Sequence, residues 1–409
     1  MTRGSTSQAV SSGIVAALVG FTSSFAVVLT GIRTVGGSPD DAASALMVVC
    51  LTMGLGAIVF SLRTRMPLTL AWSTPGAALL AGAALPEGGY ASAVGAFVLA
   101  SVLYLLTGLV GALGRWVRRI PSAVANAMLA GVLLPLCVEP FRALVAEPAA
   151  VAPVLAPWLV LLRPARRWAV PGAFAAALVV IAVTGSLAGV GADQLVPRLT
   201  WTTPALDVST AVALGVPLYL VTMTSQNIPG VAVLGSLGYD APLRPVLTYA
   251  GVAGVLTAPL GGYTINMSAI TAALTAGPSA HPDPGRRWVA GVAMGTTYAV
   301  LGPLAAAVAA ISVAAPPGLI AAIAGVALLG AFAGSAATAL HDEPHRDAAA
   351  VTFVVAASGV TYAGIGPAFW ALLAGGLLLL VTRTRAPPAP GVIGRDGSRA
   401  DPGPPAPRG

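Results

Sequence analysis

Apolar residues fill the chain in long runs separated by short polar stretches. The runs lie near 10–31, 42–62, 68–85, 91–113, 121–141, 149–162, 168–190, 207–233, 243–258, 262–276, 288–313, 317–340, 348–365 and 367–382. A helix needs about 20 mostly apolar residues to cross the hydrocarbon of a bilayer. Backbone exposed to lipid must satisfy its own hydrogen bonds, so such runs become helices. The pattern predicts an all-α polytopic membrane protein with fourteen spans, of which the third, sixth, tenth and fourteenth are short or interrupted. The first run follows only Arg3 and has no small-residue cleavage site leading into a soluble domain, so it is expected to be a span and not a cleaved signal.

Charge supports that count. Only 9% of the 409 residues are charged and the mean hydropathy is +0.86, whereas a soluble domain carries about 25% charged residues. This excludes a soluble enzyme and a disordered chain. The net charge of +7 comes without a basic patch beside exposed aromatic residues, so a nucleic-acid binder is excluded too. All 21 basic residues are arginines. With fourteen spans and a cytoplasmic N-terminus, only Arg33, Arg142 and Arg198 fall outside the cytoplasmic segments, as the positive-inside rule requires. One span more or fewer would reverse every later loop and destroy the bias. Both termini are then cytoplasmic, in the cell membrane. The Pro/Gly-rich tail 383–409 is expected to be disordered. Cys50 and Cys137 sit in apolar runs and are expected to be small buried hydrophobes, with no disulfide framework or metal site.

Two halves of the chain share one pattern. Pro67-Leu68 and Pro259-Leu260 stand 192 residues apart, each at the start of an interrupted segment. Tyr104 and Gly108 match Tyr298 and Gly302, and Ala130-Gly131-Val132 matches Ala324-Gly325-Val326, both at an offset of 194. The expected domains are two seven-span repeats, 1–190 and 191–382. Seven is odd, so the second copy enters from the opposite side, giving the inverted repeat of secondary transporters. Chance similarity among Ala/Gly/Val/Leu-rich helices is the alternative.

Candidate chemistry concentrates where the apolar pattern breaks. The first broken segment runs Pro67-Leu68-Thr69-Leu70-Ala71-Trp72-Ser73-Thr74-Pro75-Gly76. The second runs Pro259-Leu260-Gly261-Gly262-Tyr263-Thr264-Ile265-Asn266-Met267-Ser268. Pro75 fits the first turn of a helix. Each segment is therefore expected to enter the membrane extended and turn helical near the midplane, where protein or a wet cavity must satisfy its backbone. Two half-helix N-termini would then favour an anion. A kinked, Gly-rich packing helix is the alternative. A third cluster, Thr222, Thr224, Ser225, Gln226 and Asn227 before Pro229-Gly230, is costly in lipid and marks an inward-facing site, or else interhelical hydrogen bonding. Pro229 removes the partner of the Ser225 carbonyl. The first span carries Thr22, Ser23, Ser24 and Phe25 in the equivalent place.

Ionisable groups are expected away from the midplane. Only Glu139 stands in a position to be embedded, near the outer end of the fifth span, and His281, His341 and His345 lie in cytoplasmic loops. The run His341-Asp342-Glu343-Pro344-His345 lacks the helical spacing of a zinc site. A neutral polar pocket with helix dipoles suits a carboxylate or another monoanion. An intramembrane enzyme would need a nucleophile–base pair or metal cluster at one depth, and the sequence offers none.

Several stretches match a known family. They are Trp72-Ser73-Thr74-Pro75-Gly76-Ala77-Ala78-Leu79-Leu80, Asn126-Ala127-Met128-Leu129-Ala130-Gly131-Val132, Thr222-Met223-Thr224-Ser225-Gln226-Asn227-Ile228-Pro229-Gly230 and Ala269-Ile270-Thr271-Ala272-Ala273-Leu274. The loop Ala280-His281-Pro282-Asp283 with Arg287-Trp288 belongs with them. On these residues the chain resembles the BenE family of benzoate/proton symporters, over 72–288 by motif and to about 382 by hydropathy. The resemblance implies a fold shared with uracil permeases and sulfate-type anion transporters. Its core domain would hold spans 1–4 and 8–11 (about 10–113 and 207–313), and its gate domain spans 5–7 and 12–14 (about 121–190 and 317–382). Spans 3 and 10 would each hold a short strand and a half-helix meeting at the substrate.

The implied function is proton-coupled uptake of benzoate or a related aromatic carboxylate by alternating access. The carboxylate would sit near Ser73, Thr74, Pro75, Gly76, Thr264, Asn266, Met267 and Ser268. Ser225, Gln226 and Asn227 would bond it or orient the backbone, and its ring would pack on some of Phe25, Trp72, Tyr263 and Ile228. Trp72 and Tyr263 serve equally well as packing residues. Uracil permeases place acids in spans 8 and 10, where this chain has Gln226, Asn227 and Asn266. The proton would therefore travel on water, on the substrate's own carboxyl group or on Glu139. An anion exchanger or channel of the same fold is the other reading. No cofactor is expected. The partners are the substrate, protons and the bilayer, with a homodimer left open, because Gly291-x-x-x-Gly295 permits close packing within or between chains.

Overall fold

The computed structural model describes residues 6–111, 121–185, 190–362 and 367–382. The expected disordered tail at 383–409 lies outside the described residues, as do Arg115, Arg118 and Arg119. The protein is mostly helical. Helices α1 (Thr6–Thr34), α2 (Pro39–Thr64), β1 (Leu70–Trp72), α3 (Thr74–Ala81) and α4 (Gly89–Leu109) come first. Helices α5 (Ser122–Ala146), α6 (Pro148–Leu161) and α7 (Ala169–Val183) follow. Then come α8 (Val208–Ser236), α9 (Leu243–Thr257), β2 (Ile265–Met267), α10 (Ala269–Ala276) and α11 (Pro284–Ala314). Helices α12 (Leu319–His341), α13 (Arg346–Ala357) and α14 (Pro367–Val381) end the described chain.

Eight of these helical stretches are long and apolar enough to cross a membrane. Their outer faces are apolar as well. Leu256 and Val179 are 69% and 61% exposed, an arrangement that suits hydrocarbon and would form adhesive patches in water. Local chemistry sets the boundaries. Ser38 opens α2 with a capping box, its hydroxyl accepting from the Asp41 N–H while the Asp41 carboxylate accepts from the Ser38 N–H. Asp207 caps α8 from outside the span, and hydrogen bonds from Thr210 and then Ser209 draw its carboxyl down to about 2.

Helices α1, α2 and α11 pack together, and α4 packs on α9. Separately, α5 packs on α12 and α13, α13 on α14, and α6 on α7. The two groups meet where α1 touches α7 and α12, and where α3 touches α5. Several arginine-bearing ends gather on one side. Gln8 reaches the Ser279 carbonyl, Tyr239 that of Pro284 and Arg244 that of Gly108, while the Arg65 guanidinium lies 4.4 Å from the centre of the Trp288 ring.

Lipid tails are as apolar as leucine, so these helices associate through close packing and not through expulsion of water. Small residues make that possible. A β-carbon on Gly295 would lie 2.5 Å from the Gly54 carbonyl oxygen, and one on Gly54 would lie 2.6 Å from that of Gly295. Gly291 meets Ser61 in the same seam. The Gly291-x-x-x-Gly295 motif thus packs α11 on α2 within one chain. Gly295→Val is expected to cost about 1–3 kcal/mol or more through overpacking, read as a lower unfolding temperature of the purified protein with no change in oligomeric state. Wild-type unfolding in that variant would show that the seam is not closed.

Candidate functional site

The site begins with two short strands. β1 and β2 pair antiparallel, with Leu70 opposite Met267, Ala71 opposite Asn266 and Trp72 opposite Ile265. The ladder continues one residue at each end. The Ser73 N–H donates to the Thr264 carbonyl and the Ser268 N–H to that of Thr69, both at 3.1 Å. Each broken segment thereby satisfies the backbone of the other, which is the condition for non-helical chain at membrane depth.

Each strand ends in a serine that starts a helix. The Ser73 hydroxyl accepts from the Gly76 N–H at 2.9 Å and the Ser268 hydroxyl from the Thr271 N–H at 3.3 Å. Both half-helices have eight residues. The caps and half-helices correspond at an offset of 195 residues, not the 192 taken from the Pro-Leu pairs. Ala258–Leu260 forms a tight helical turn closed by Gly261 at φ 89, so Pro259 ends the preceding helix and the extended segment starts later.

The two N-termini differ in the donors they leave. Helix geometry gives the first-turn amides no intrahelical acceptor. In α3, Pro75 has no N–H, and the Gly76 and Ala77 amides are taken by Ser73, which leaves Thr74. In α10, Thr271 and Ala272 are taken by Ser268, which leaves Ala269. Free first-turn amides thus stand at two positive dipole ends, one at each end of the ladder, and each end favours an anion.

Helix α8 supplies the third wall. It widens into π-turns at Ala211–Gly215 and Met223–Asn227, shortly before Pro217 and Pro229. In the second turn the Ile228 N–H bonds to the Met223 carbonyl, five residues back. Such bulges turn side chains out of the regular helical register and recur at functional sites. The Asn227 side-chain oxygen accepts from the Met267 N–H at 3.0 Å. The Thr222 and Ser73 hydroxyls share a 2.6 Å hydrogen bond. Gly230 completes the contact, since a β-carbon there would lie 3.0 Å from that of Met267. The motif Ser225-Gln226-Asn227-Ile228-Pro229-Gly230 therefore works as a clasp. Pro229 follows the wide turn, Asn227 grips β2 and Gly230 lets the helix reach it.

The expected residues divide by what they touch. Ser73, Asn227, Thr264, Met267 and Ser268 are joined by the hydrogen bonds above, and Asn266 adds its amide donating to the Met267 carbonyl at 2.8 Å. Ser225 bonds back to the Val221 carbonyl. Gln226, half-buried, makes no hydrogen bond among the described residues, and neither does half-buried Thr74. The buried Asn266 side-chain oxygen and the Thr264 and Thr271 hydroxyls also have no partner. Pro75 and Gly76 are buried in the first turn of α3, and Ile228 is half-buried.

The aromatic residues pack on protein. The Trp72 indole N–H donates to Ser24 at 2.9 Å, with its ring edge-on to Phe21 and Tyr298. Tyr263 is fully buried and donates to the Ser73 carbonyl at 3.3 Å. Phe25 is fully buried, stacked on Phe21 and edge-on to Phe174 of α7 at 4.9 Å. Glu139 pairs with Arg142 at 3.7 Å and is 42% exposed. No ion pair or hydrogen bond among the described residues brings a carboxylate, imidazole or guanidinium to the strand crossing.

Sequence reasoning gave no role to Tyr104 or Arg287. The Tyr104 hydroxyl is buried beside Thr222 and Asn227 without a formed hydrogen bond. Arg287, only 5% exposed, donates to the Ala276 carbonyl at 2.8 Å and to that of His281 at 2.7 Å. Ala276 is the last residue of α10. A buried positive charge thus sits at the negative end of the helix whose positive end faces the site. The only signal for it was an arginine in a loop that resembles the family.

Broken helices that pair through strands, with facing half-helix N-termini, define this protein as a membrane transporter. The solved transmembrane domain of a cyanobacterial bicarbonate transporter, BicA, is similar to it, with a TM-score of 0.54 and 15% identity over 92% of this chain and 96% of that one. That likeness shows the fold. The family model described as "Benzoate membrane transport protein" matches residues 4–381. The chain belongs to the BenE family. The inner membrane protein YdcO of Escherichia coli is 36% identical over 90% of this chain and 94% of its own length. A benzoate membrane transport protein of Acinetobacter baylyi is 29% identical over 90% and 93%.

The clasp generates a prediction. Asn227→Ala leaves the Met267 N–H buried without its acceptor, at a cost of about 1–3 kcal/mol. The variant is expected to unfold at lower temperature and to lose ligand affinity as β2 loosens. Wild-type values of both would show that Asn227 does not hold the strand.

Proposed function

We propose that this transporter takes up benzoate or a closely related aromatic carboxylate together with a proton. The observation that carries the reading is the strand crossing itself, where two serine-capped half-helices start and the Gln226-bearing turn of α8 packs on β2. The carboxylate binds the Thr74 amide at the start of α3, with the start of α10 adding its positive dipole end from across the ladder. Gln226 and the Thr74 hydroxyl complete its hydrogen bonds, while Ser73, Asn227, Asn266, Met267 and Ser268 hold the backbone that presents the amides. Trp72 and Tyr263 act as scaffold, and Phe25 and Ile228 form the wall nearest the ring. The name of the Acinetobacter relative supports the substrate class.

The same reading proposes fourteen spans in two inverted seven-span repeats, with both termini cytoplasmic. Antiparallel pairing of segments that correspond at one offset supports the inversion. The core comprises α1–α4 and α8–α11 with both strands, and the gate α5–α7 and α12–α14. This agrees with the two packing groups, which meet where Phe25 touches Phe174. Movement of core against gate then exposes the site alternately. With no ionised side chain bonded at the crossing among the described residues, the proton travels on the substrate's carboxyl group or on water. Glu139, already paired with Arg142, is the weaker carrier.

Purified protein in proteoliposomes tests this. Uptake of labelled benzoate is expected to rise with an acid exterior and to carry a measurable proton flux, with inhibition by substituted benzoates. Gln226→Ala is expected to lower the initial rate roughly ten-fold or more, the worth of a hydrogen bond to a charged group. Uptake that ignores the pH gradient and is blocked by sulfate or bicarbonate, but not by substituted benzoates, would overturn the reading in favour of anion exchange. A normal rate in Gln226→Ala would remove Gln226 from the site.

A further inference from the structure

A second feature lies away from the strand crossing, where α2 and α4 end and α9 begins. A groove of about 710 Å³ opens there between these helices, lined among others by Val59, Phe60, Arg63, Arg244, Tyr249 and Val252. That volume is within the range of small-ligand sites, roughly 300–1,000 Å³.

Its chemistry is divided along its length. At one end stand two arginines. Arg244 is held in place, its Nε donating to the Gly108 carbonyl at 3.0 Å and its Nη2 to that of Leu109 at 2.7 Å. Two of its five N–H donors are thus committed to the last turn of α4, and three remain. Arg63 stands opposite on α2, exposed. Neither arginine makes an ion pair among the described residues, and no acidic residue lines the groove. The floor is apolar. Phe60 and Tyr249 pack edge to face at 5.7 Å, and the Tyr249 hydroxyl is turned to the Thr52 carbonyl at 2.6 Å, so its ring gives the groove only apolar surface.

The apolar surface continues from the arginines along both helices. Leu55, Val59 and Arg63 are spaced by four residues on α2, and Arg244, Thr248, Val252 and Leu256 by four on α9. Residues four apart share a helix face. Leu55, Val252 and Leu256 are exposed. Leu55 to Arg63 spans eight residues and Arg244 to Leu256 twelve, rises of about 12 and about 18 Å, so the stripes run from the guanidiniums to roughly the depth of one leaflet's hydrocarbon, about half of 30 Å.

We propose that this groove holds one anionic phospholipid. Its phosphate lies between Arg63 and Arg244, and an acyl chain follows the Leu55–Val59 and Val252–Leu256 stripes. Two guanidiniums without a carboxylate call for a headgroup with net negative charge, and the stripes call for a chain attached to it. Basic pockets between spans on the cytoplasmic side bind such headgroups. Free phosphate would use the arginines and leave the stripes without a role.

Native mass spectrometry of the full-length protein, released from nanodiscs of equal phosphatidylglycerol and phosphatidylcholine, tests this. The wild type is expected to retain phosphatidylglycerol preferentially. Arg63→Gln pins no helix end, so the variant is expected to fold normally. It should lower that retention about five-fold, the worth of one basic residue at a membrane surface, and leave phosphatidylcholine unchanged. Val252→Trp fills the chain path and should lower retention with both arginines intact. Wild-type retention in both variants would overturn the proposal. So would loss of the preference on adding inorganic phosphate, which would make the arginines a free-phosphate site.

Discussion

The structure depends on one backbone exchange. Two segments abandon helical hydrogen bonding where no water can replace it, and each repairs the other through the antiparallel ladder from Thr69–Ser268 to Ser73–Thr264. An unpaired amide or carbonyl at membrane depth costs several kcal/mol. Neither segment is stable there alone, and together they place a helix start at each end of the ladder. The half-helices follow from the same exchange. A strand that ends at a serine must restart a helix, and the serine hydroxyl caps it. The anion-favouring amides are thus a by-product of satisfying the crossing, not a separate device.

Every element around the crossing holds it in register. Asn227 takes the Met267 amide, Thr222 meets the Ser73 hydroxyl, Tyr263 reaches the Ser73 carbonyl and Trp72 is tied to Ser24. These side chains come from α1, α8 and the strands themselves, so a displacement of one strand breaks bonds on several elements. Arg287 acts at the far end of α10, where it binds the Ala276 carbonyl. Its charge sits about 12 Å from the first residue of that eight-residue helix and stabilises the dipole without entering the proposed site. The helix starts themselves carry only the partial charge of peptide groups, and the one buried guanidinium among the described residues sits at the opposite end of α10.

Much of this was legible in the chain before folding. Each of the fourteen apolar runs overlaps one of the helices or strand-helix units, eight of the helices being long and apolar enough to cross a membrane, because hydrophobic length is a one-dimensional property. The broken segments were legible because Pro75, Ser73 and Ser268 have local conformational preferences. Other features were not, because they belong to pairs distant in sequence. Of the correspondences that suggested the repeat, the Pro-Leu pairs stand at 192 and the others at 194, while the serine caps stand at 195; Pro259 ends a helical turn closed by Gly261, and Pro67 does not. Trp72 and Tyr263 left ring packing and ligand contact open. Their polar atoms find Ser24 and the Ser73 carbonyl, partners 48 and 190 residues away, and no local pattern encodes that.

Gln226 and Asn227 show how far composition alone can go. They are adjacent, equally polar and equally costly in hydrocarbon, and the sequence assigned them one role. Their place on the helix separates them. Neighbouring residues on a helix point about 100° apart, so Asn227 is fully buried against β2 while Gln226 stays half-buried and makes no hydrogen bond among the described residues. One amide completes the scaffold and the other is left with donors and acceptors to offer. Asn227 is fully buried with its oxygen bonded to the Met267 N–H and its amide nitrogen donating to the Met223 sulfur at 3.5 Å, so the proposed contact falls to Gln226. The same reasoning separates Ser73, already bonded to Gly76 and Thr222, from Thr74, whose hydroxyl has no partner among the described residues. Leftover hydrogen-bond capacity combined with exposure singles out Gln226 and Thr74 for the proposed contact, whereas the Asn266 oxygen, equally unpaired, is fully buried.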